Sequence, residues 1–481
     1  MSPTFADILD FLSVPGMRTA ADSAPLGEFR IDSREVAPGD VFVALPGERV
    51  DGADYAFAAL ERGARLVLIA EARGDVIAGM RARAEVLTPG VARTSDGPWI
   101  GVASDPLEAL QRLSLWWRQR CAATVIGVTG SVGKTTTKEM IAQVLAVRHP
   151  VLKTEGNRNN AIGVPLTLLR LRPTDRFAVI EMGMDRRGEI ESYCRWALPT
   201  VGVVTLVGPV HLESLGSIEN IARAKAELVQ ALPPTSAGGV AVLNADDARV
   251  SAMAALTSAR VLTFGLASSA DVRATDIASH GLNGVSFRLH FAGASVPVHL
   301  KLLGRHSVHT ALSAAAVALS QGYTLEDVAQ GLGDEPTQLR LVVARGPHDS
   351  IVLDDCYNAS PQSTIAALNL LKDIDGEFPR IAVLGDMLEL GDAEQVGHEE
   401  VGCRAALVAH RIVCVGERSR IIARAARECG APAESVYSVA TNADAIALLH
   451  TLVESKSVIL VKGSRGMHME EIVAALGGFD G

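Results

Sequence analysis

No basic tract, no hydrophobic run of membrane length and no CxxC pair occurs in the 481 residues. Lys plus Arg total 45 against 55 Asp plus Glu, for a net charge of −10. That balance argues against holding nucleic acid by neutralising its backbone, and against a polybasic membrane anchor. The most apolar stretches, 201–210 and 311–319, are about ten residues long, where a bilayer span needs roughly 20. The first ten residues include acidic ones and lack the charged-then-apolar pattern of a secretory signal. Six cysteines (Cys121, Cys194, Cys356, Cys403, Cys414 and Cys429) are scattered along the chain. They are expected as buried or incidental thiols in a reducing compartment. Neither a solenoid-period repeat nor a low-complexity tract is present. The expected location is cytoplasmic.

What the chain does contain is ordinary for a folded protein: 48% hydrophobic and 21% charged residues. At roughly 150 residues per domain, its length suggests about three domains. The expected fold class is α/β in three parts. Residues 1–103, with apolar runs at Asp40–Leu45 and Arg65–Ala70 between Gly, Pro and Asp, read as a small N-terminal α/β module. Residues 104–337 read as a central P-loop, parallel-sheet, ATPase-like domain. It opens on a helix over Ser104–Arg120 and has buried strands at Thr124–Val128, Phe177–Ile180, Val201–Val207 and Gly239–Leu243. Residues 338–481 alternate strands at Ile351–Leu353, Arg380–Leu384, Arg411–Val415, Val436–Val439 and Ser457–Val461 with helices. Such alternation implies a Rossmann-like, doubly wound sheet with ligands beyond the strand C-terminal ends.

The motif with the most chemistry is Thr129-Gly130-Ser131-Val132-Gly133-Lys134-Thr135-Thr136-Thr137, between an expected strand and helix. A Gly-rich turn there aims backbone N–H groups at phosphate, and the helix N-terminus adds its positive dipole end. Lys134 can reach β- and γ-phosphates and the Thr135 hydroxyl can ligate Mg²⁺. Val128 stands where the strict pattern has Gly, so the loop is a variant. Three polar residues follow or neighbour the strands. Glu181 sits where a Mg²⁺-binding carboxylate would, His211 follows the strand beginning at Val201, and Lys225 lies on a helix starting near Ser217. Taken singly, Glu181 also reads as a cap, while for His211 and Lys225 the structural readings, a satisfied buried histidine and a solvated lysine, come first.

The phosphate loop, together with Glu181-Met182-Gly183, His211-Leu212-Glu213 and Ala224-Lys225-Ala226-Glu227, resembles the Mur ligases of peptidoglycan synthesis. The run Thr154-Glu155-Gly156-Asn157-Arg158-Asn159-Asn160 is similar to the Asn-rich substrate loop of the member that adds D-alanyl-D-alanine. Asp354-Asp355-Cys356-Tyr357-Asn358, Gly385-Asp386-Met387 and Lys462-Gly463-Ser464-Arg465 resemble C-terminal signatures of that member, and Asp32-Ser33-Arg34 its UDP-sugar domain. The resemblance runs in order from about residue 30 to the end.

It implies ATP-dependent amide formation between UDP-N-acetylmuramoyl-tripeptide and D-alanyl-D-alanine through an acyl phosphate. It further implies two Mg²⁺ ions, one held through Thr135 and Glu181 and the other through Glu181 and His211, because both reactants of the first step are anions. The lysine matching Lys225 is carbamylated in the family, which turns a cation that would repel Mg²⁺ into an anion that orients it. The implied catalytic set is Lys134, Glu181, His211 and Lys225. The implied ATP contacts are Gly130 to Thr136 of the loop, with His306, Arg340, Asp354, Asp355, Tyr357 and Asn358. The implied substrate contacts are Ser33, Arg34, Asn157, Asn159, Asn160, Lys462 and Arg465. The two substrates are the only partners expected, with no nucleic acid, no membrane insertion and a monomeric chain.

Local chemistry offers alternatives. Asp32–Arg34 could be a structural pair, Asp354 a turn cap, and Lys462 and Arg465 partners of Glu470 and Glu471. The chain also departs from the family pattern: His306-Ser307-Val308-His309-Thr310 replaces His-Asn-x-x-Asn, Leu339-Arg340 replaces Gly-Arg, and Ser360 replaces an Asn. Two rival readings fit the sequence less well. The diaminopimelate- or lysine-adding enzyme carries an Asp-Asn-Pro-Arg motif that is absent here, and a degenerate nucleotide-binding scaffold would not keep all of Lys134, Thr135, Glu181, His211 and Lys225.

Overall fold

Alternating apolar and turn-forming segments resolve into three open sheets of five, nine and six strands. The computed structural model describes residues 3–15, 20–47, 49–210, 212–333, 341–374, 376 and 378–477. His211 and Arg340, both expected at the site, lie outside the described residues, as does Leu339. The chain forms two compact units. One comprises Met1–Gly127, Arg148–Gly183 and Glu189–Val201. The other comprises Val128–Val147, Met184–Gly188 and Gly202–Gly481.

In the first unit, β1 (Phe29–Arg30), β2 (Val41–Val43), β3 (Leu66–Ala70), β4 (Glu85–Leu87) and β5 (Trp99–Ala103) form a sheet of order β1-β2-β3-β5-β4. Its pairings are all parallel. The helix expected over 104–120 is α1 (Pro106–Arg118), started by the Asp105 carboxylate, which accepts the Leu107 and Glu108 N–H groups at 2.8 and 3.3 Å. Its last turn ends on the buried Arg118, whose guanidinium donates to the carbonyls of Ala197, Cys121 and Ala123.

Along the nine-stranded sheet the chain supplies β6 (Thr124–Thr129), β7 (Val151–Lys153), β8 (Phe177–Glu181), β9 (Val201–Val204), β10 (Val240–Asn244) and β11 (Arg260–Gly265). They are followed by β12 (Val272–Ser279), β13 (Val285–Phe291) and β14 (Ala294–Leu300). The four strands expected here appear as β6, β8, β9 and β10. An antiparallel extension was not anticipated: β12, β13 and β14 pair antiparallel beyond the parallel β10–β11–β12 ladder. Ala292 and Gly293, both at positive φ, make the two-residue turn that a tight hairpin requires. The usual Asn-Gly or Asp-Gly signal is absent, which hid the hairpin in the sequence.

The phosphate-loop helix α2 (Lys134–Ala146) packs on α3 (Ser307–Ser320). The latter is an Ala-rich helix buried on nearly all sides, consistent with a core element. The six-stranded sheet contains β15 (Val342–Arg345), β16 (Ile351–Asp354), β17 (Arg380–Gly385), β18 (Arg411–Val415), β19 (Val436–Val439) and β20 (Val458–Lys462), in the order β15-β16-β20-β17-β18-β19. All pairings are parallel except the edge strand β15 against β16. Alternate residues face two separate cores. Leu353, Leu384, Ile412 and Leu460 enter one, and Val352, Val383, Val413 and Ile459 the other. Burial on both faces is what a doubly wound sheet demands.

One expectation is overturned. Cys403 and Cys429 form a disulfide with a Cα–Cα separation of 5.2 Å, and the other four cysteines are buried thiols. The bond joins α4 (Glu394–Ala406) to the residue ending α5 (Arg420–Glu428). Helix packing brings the two cysteines together across 26 residues, a separation no local motif reveals. Among the described residues, no helix is long and apolar enough to cross a membrane.

Candidate functional site

The phosphate loop is shaped before any ligand enters. Gly130 and Gly133 have φ of +150° and +84°, and a Cβ on Gly130 would lie 1.8 Å from the Thr205 Oγ1, so no side chain fits there. Gly133, in the left-handed region, is the N-cap of α2 and supplies no side chain to its first turn; a helix N-terminus of this kind suits an anion. Lys134 Nζ donates to the Gly130 carbonyl at 2.8 Å and so folds back over the loop. Ser131, expected to touch phosphate, is engaged elsewhere. Its hydroxyl donates to the Gly208 carbonyl at 3.0 Å and accepts the Gly208 N–H at 2.9 Å, while its own N–H binds the Leu206 carbonyl.

Lys225 lies on α6 (Ile218–Gln230), whose N-cap is Ser217. It is only 2% exposed, which overturns the solvated-lysine reading. Burial drives its pKa well below the ordinary lysine value, and the nearby Lys134 charge adds to that effect. A second ammonium beside Lys134 in a dry site is unfavourable, so a neutral amine or a modified, anionic side chain suits this position better.

In the first unit, Glu181 ends β8 fully buried. Its Oε1 accepts the Asn159 side-chain amide at 2.8 Å, and its backbone N–H donates to Thr154 Oγ1. Asn159 thereby orients a carboxylate, a role its expected placement as a substrate contact did not include. The Asn160 side chain accepts the Ile162 and Gly163 N–H groups, which commits that oxygen to the local turn. Asn157 is exposed. Ser33 is buried, whereas Arg34 is 85% exposed and doubly bonded to Asp32, its carboxyl held down to about 2 mainly by that hydrogen bond. The structural Asp–Arg pair is therefore present.

The second unit encloses a cavity of about 170 Å³. It is small beside the roughly 300–1,000 Å³ of ordinary ligand sites. Its wall joins Ser131, Val132, Gly133 and Thr136 of the phosphate loop to His306, Asp355, Tyr357, Asn358 and Lys462. Residues far apart in sequence thus meet where the ends of β16 and β20 approach the loop, as doubly wound sheets place their ligands. Lys462 is 2% exposed; its Nζ donates to Asp355 at 2.6 Å and to the Asn358 carbonyl at 3.0 Å. This pairing replaces the expected alternative with Glu470 and Glu471. Arg465 lies over the Tyr357 ring at 5.6 Å. The Asp354 Oδ1 accepts the Cys356 N–H, as a turn-capping aspartate would. His306 borders the cavity and is itself exposed.

The wall also holds residues that the sequence reading passed over: Leu302, Leu303, Leu341 and Ser363. None carries a motif; Leu302 and Leu303 lie a few residues before Ser307, Leu341 directly follows Arg340, and Ser363 lies three residues after Ser360, which was the only available signal. Thr205 was missed as well; a small polar residue directly beyond a buried strand was the available signal.

A phosphate loop at the mouth of a cavity closed by a doubly wound sheet defines a nucleotide-dependent α/β enzyme in three domains, and the chain belongs to the Mur ligase family. Family models match in order: the Mur ligase family catalytic domain over residues 28–94, the Mur ligase middle domain over 128–318, and the glutamate ligase domain over 340–465. The protein named UDP-N-acetylmuramoyl-tripeptide--D-alanyl-D-alanine ligase in Mycobacterium bovis is 37% identical, over 95% of this chain and 93% of the relative. The Escherichia coli protein of that name is 36% identical over 99% and 98%. Among solved structures, MurF from Acinetobacter baumannii superimposes with a TM-score of 0.81 at 31% identity, covering 99% of both chains. MurF ligase from Thermotoga maritima in complex with ADP gives 0.76 at 26% identity, covering 97% of this chain and 98% of that one.

Proposed function

We propose that the chain is an ATP-dependent amide ligase that joins D-alanyl-D-alanine to UDP-N-acetylmuramoyl-tripeptide in cytoplasmic peptidoglycan precursor synthesis. The observation that carries this reading is that the phosphate loop and the Asp355–Lys462 strand ends line one and the same cavity. The tripeptide carboxylate attacks the γ-phosphorus of ATP, and the β–γ bridging bond breaks to release ADP. The dipeptide amine then attacks the acyl carbon, loses a proton and expels phosphate.

Loop N–H groups and Lys134, released from the Gly130 carbonyl, hold the phosphates in place. Mg²⁺, when bound, offsets the charge repulsion between carboxylate and triphosphate. Thr135, Glu181 and His211 are its proposed ligands; the buried, Asn159-oriented carboxylate of Glu181 has the hard-oxygen chemistry that Mg²⁺ prefers. Lys225 is proposed to add CO₂ at its neutral amine, forming a carbamate and releasing a proton. Its burial beside Lys134 supports that modification, because an anion there meets a cation instead of repelling one.

Residues 1–103 are assigned the UDP-sugar, with Ser33 and Arg34 as contacts. Residues 104–337 are assigned ATP, and 338–481 the dipeptide and part of the ATP site. His306, Arg340, Asp354, Asp355, Tyr357 and Asn358 serve the nucleotide, and Asn157, Asn159, Asn160, Lys462 and Arg465 the amide-forming substrates. The chain acts as a monomer. Phosphate release, assayed with each substrate omitted in turn, tests the reading. Release that does not depend on the dipeptide, or none with all components present, overturns it.

A further inference from the structure

The segment after β9 is stitched to the phosphate loop at every step. Thr205 N–H donates to the Thr129 carbonyl at 3.0 Å and the Ser131 N–H to the Leu206 carbonyl at 2.8 Å. The Thr205 hydroxyl donates to the Val132 carbonyl at 2.7 Å, and the Ser131 hydroxyl closes on both polar groups of Gly208. This segment is in turn anchored from behind. The Asn244 side-chain amide donates to the Thr205 carbonyl at 2.8 Å, and Asp247 accepts the Val207 N–H at 2.7 Å. Asn244 is itself oriented, because its Oδ1 accepts the Asp246 N–H.

We propose that Thr205 is a positioning residue for the nucleotide phosphates, acting through the Val132–Gly133 peptide; this inference rests on the ATP-dependent reading above. In a trans peptide the C=O and the following N–H point to opposite sides. Holding the Val132 carbonyl on Thr205 therefore turns the Gly133 N–H away from it, and both loop residues line the cavity. The same hydroxyl occupies the space a Cβ on Gly130 would need, so the loop backbone and Thr205 fit as one unit. Thr205 is buried, so its hydroxyl has little water to exchange with. Without that hydroxyl the Val132 carbonyl loses its partner and the peptide can rotate, taking a phosphate donor out of register.

The test compares Thr205→Val, Thr205→Ala and Thr205→Ser with the parent. MgADP affinity is measured by calorimetry, and KM and kcat are measured separately for ATP and for the dipeptide. Val tests the hydroxyl in a near-isosteric side chain; Ala serves if the Val methyl, placed against the Val132 carbonyl, prevents folding. The expected result is an MgADP affinity about tenfold weaker in the Val or Ala variant, as expected for one lost buried partner. The KM for ATP should rise in parallel, the KM for the dipeptide should stay unchanged, and Ser should return binding to within about twofold of the parent. Equal MgADP affinity in all four proteins overturns the proposal, as does equal weakening in Ser and Val. A parent that binds no MgADP instead overturns the ATP-dependent reading on which the proposal rests, so the two failures are told apart.

Discussion

At the scale of single residues, burial decides what a titratable side chain can do. Lys225 looks in sequence like any helix lysine, yet desolvation and Lys134 favour its neutral form. On the carbamate reading, the protein's formal charge falls by two from −10 when that cation becomes an anion. A Lys225→Ala variant is expected to lose turnover and to regain part of it with a small added carboxylate; full activity without additive refutes the role. His398 shows the same physics away from the chemistry. Its Nε2 accepts the Met387 N–H at 3.1 Å, its Nδ1 donates to the Glu394 carbonyl at 2.7 Å, and burial lowers its pKa. The unfolded chain therefore binds a proton below about pH 6.5 that the folded chain refuses. Stability contributed by His398 is full above that pH and is lost as pH falls through the folded pKa. Melting curves between pH 7.5 and 5 are expected to shift downward, with a shallower slope in a His398→Gln variant.

Elements formed where local signals agreed with one another. Asp105 before Pro106 starts α1, Ser217 starts α6, and the five expected strands of the C-terminal region are β16 to β20. The hairpin of β13 and β14 escaped notice because Ala292-Gly293 adopts a turn without the residues that usually announce one. The disulfide escaped because α4 and α5 meet only by packing. Thiol titration in denaturant without reductant is expected to find four thiols, and titration after reduction six, matching the four free cysteines and the one bonded pair. Six before reduction contradicts the pairing. The Asx and capping roles of Asn160 and Asp354 likewise arise at element ends, where short polar side chains satisfy backbone groups that helices and strands leave open.

For the whole molecule, the cavity belongs to one of the two compact units, so ligand binding and stability are coupled unevenly. MgADP at a hundredfold excess over its dissociation constant is expected to stabilise that unit by about 2.7 kcal/mol. In scanning calorimetry the corresponding transition should move upward with nucleotide concentration; a transition that does not move contradicts nucleotide binding at this cavity. The sequence by itself determined the three-part α/β plan, the phosphate loop and the family, because those rest on chemistry carried by neighbouring residues. Tertiary structure alone decided that Asp355 pairs with Lys462, that Lys225 is dry, and that Thr205 braces a loop some 70 residues earlier in the chain. The reason is physical. A helix cap or a glycine turn is satisfied within a few residues, whereas burial and hydrogen bonds across strand ends exist only once distant segments have packed.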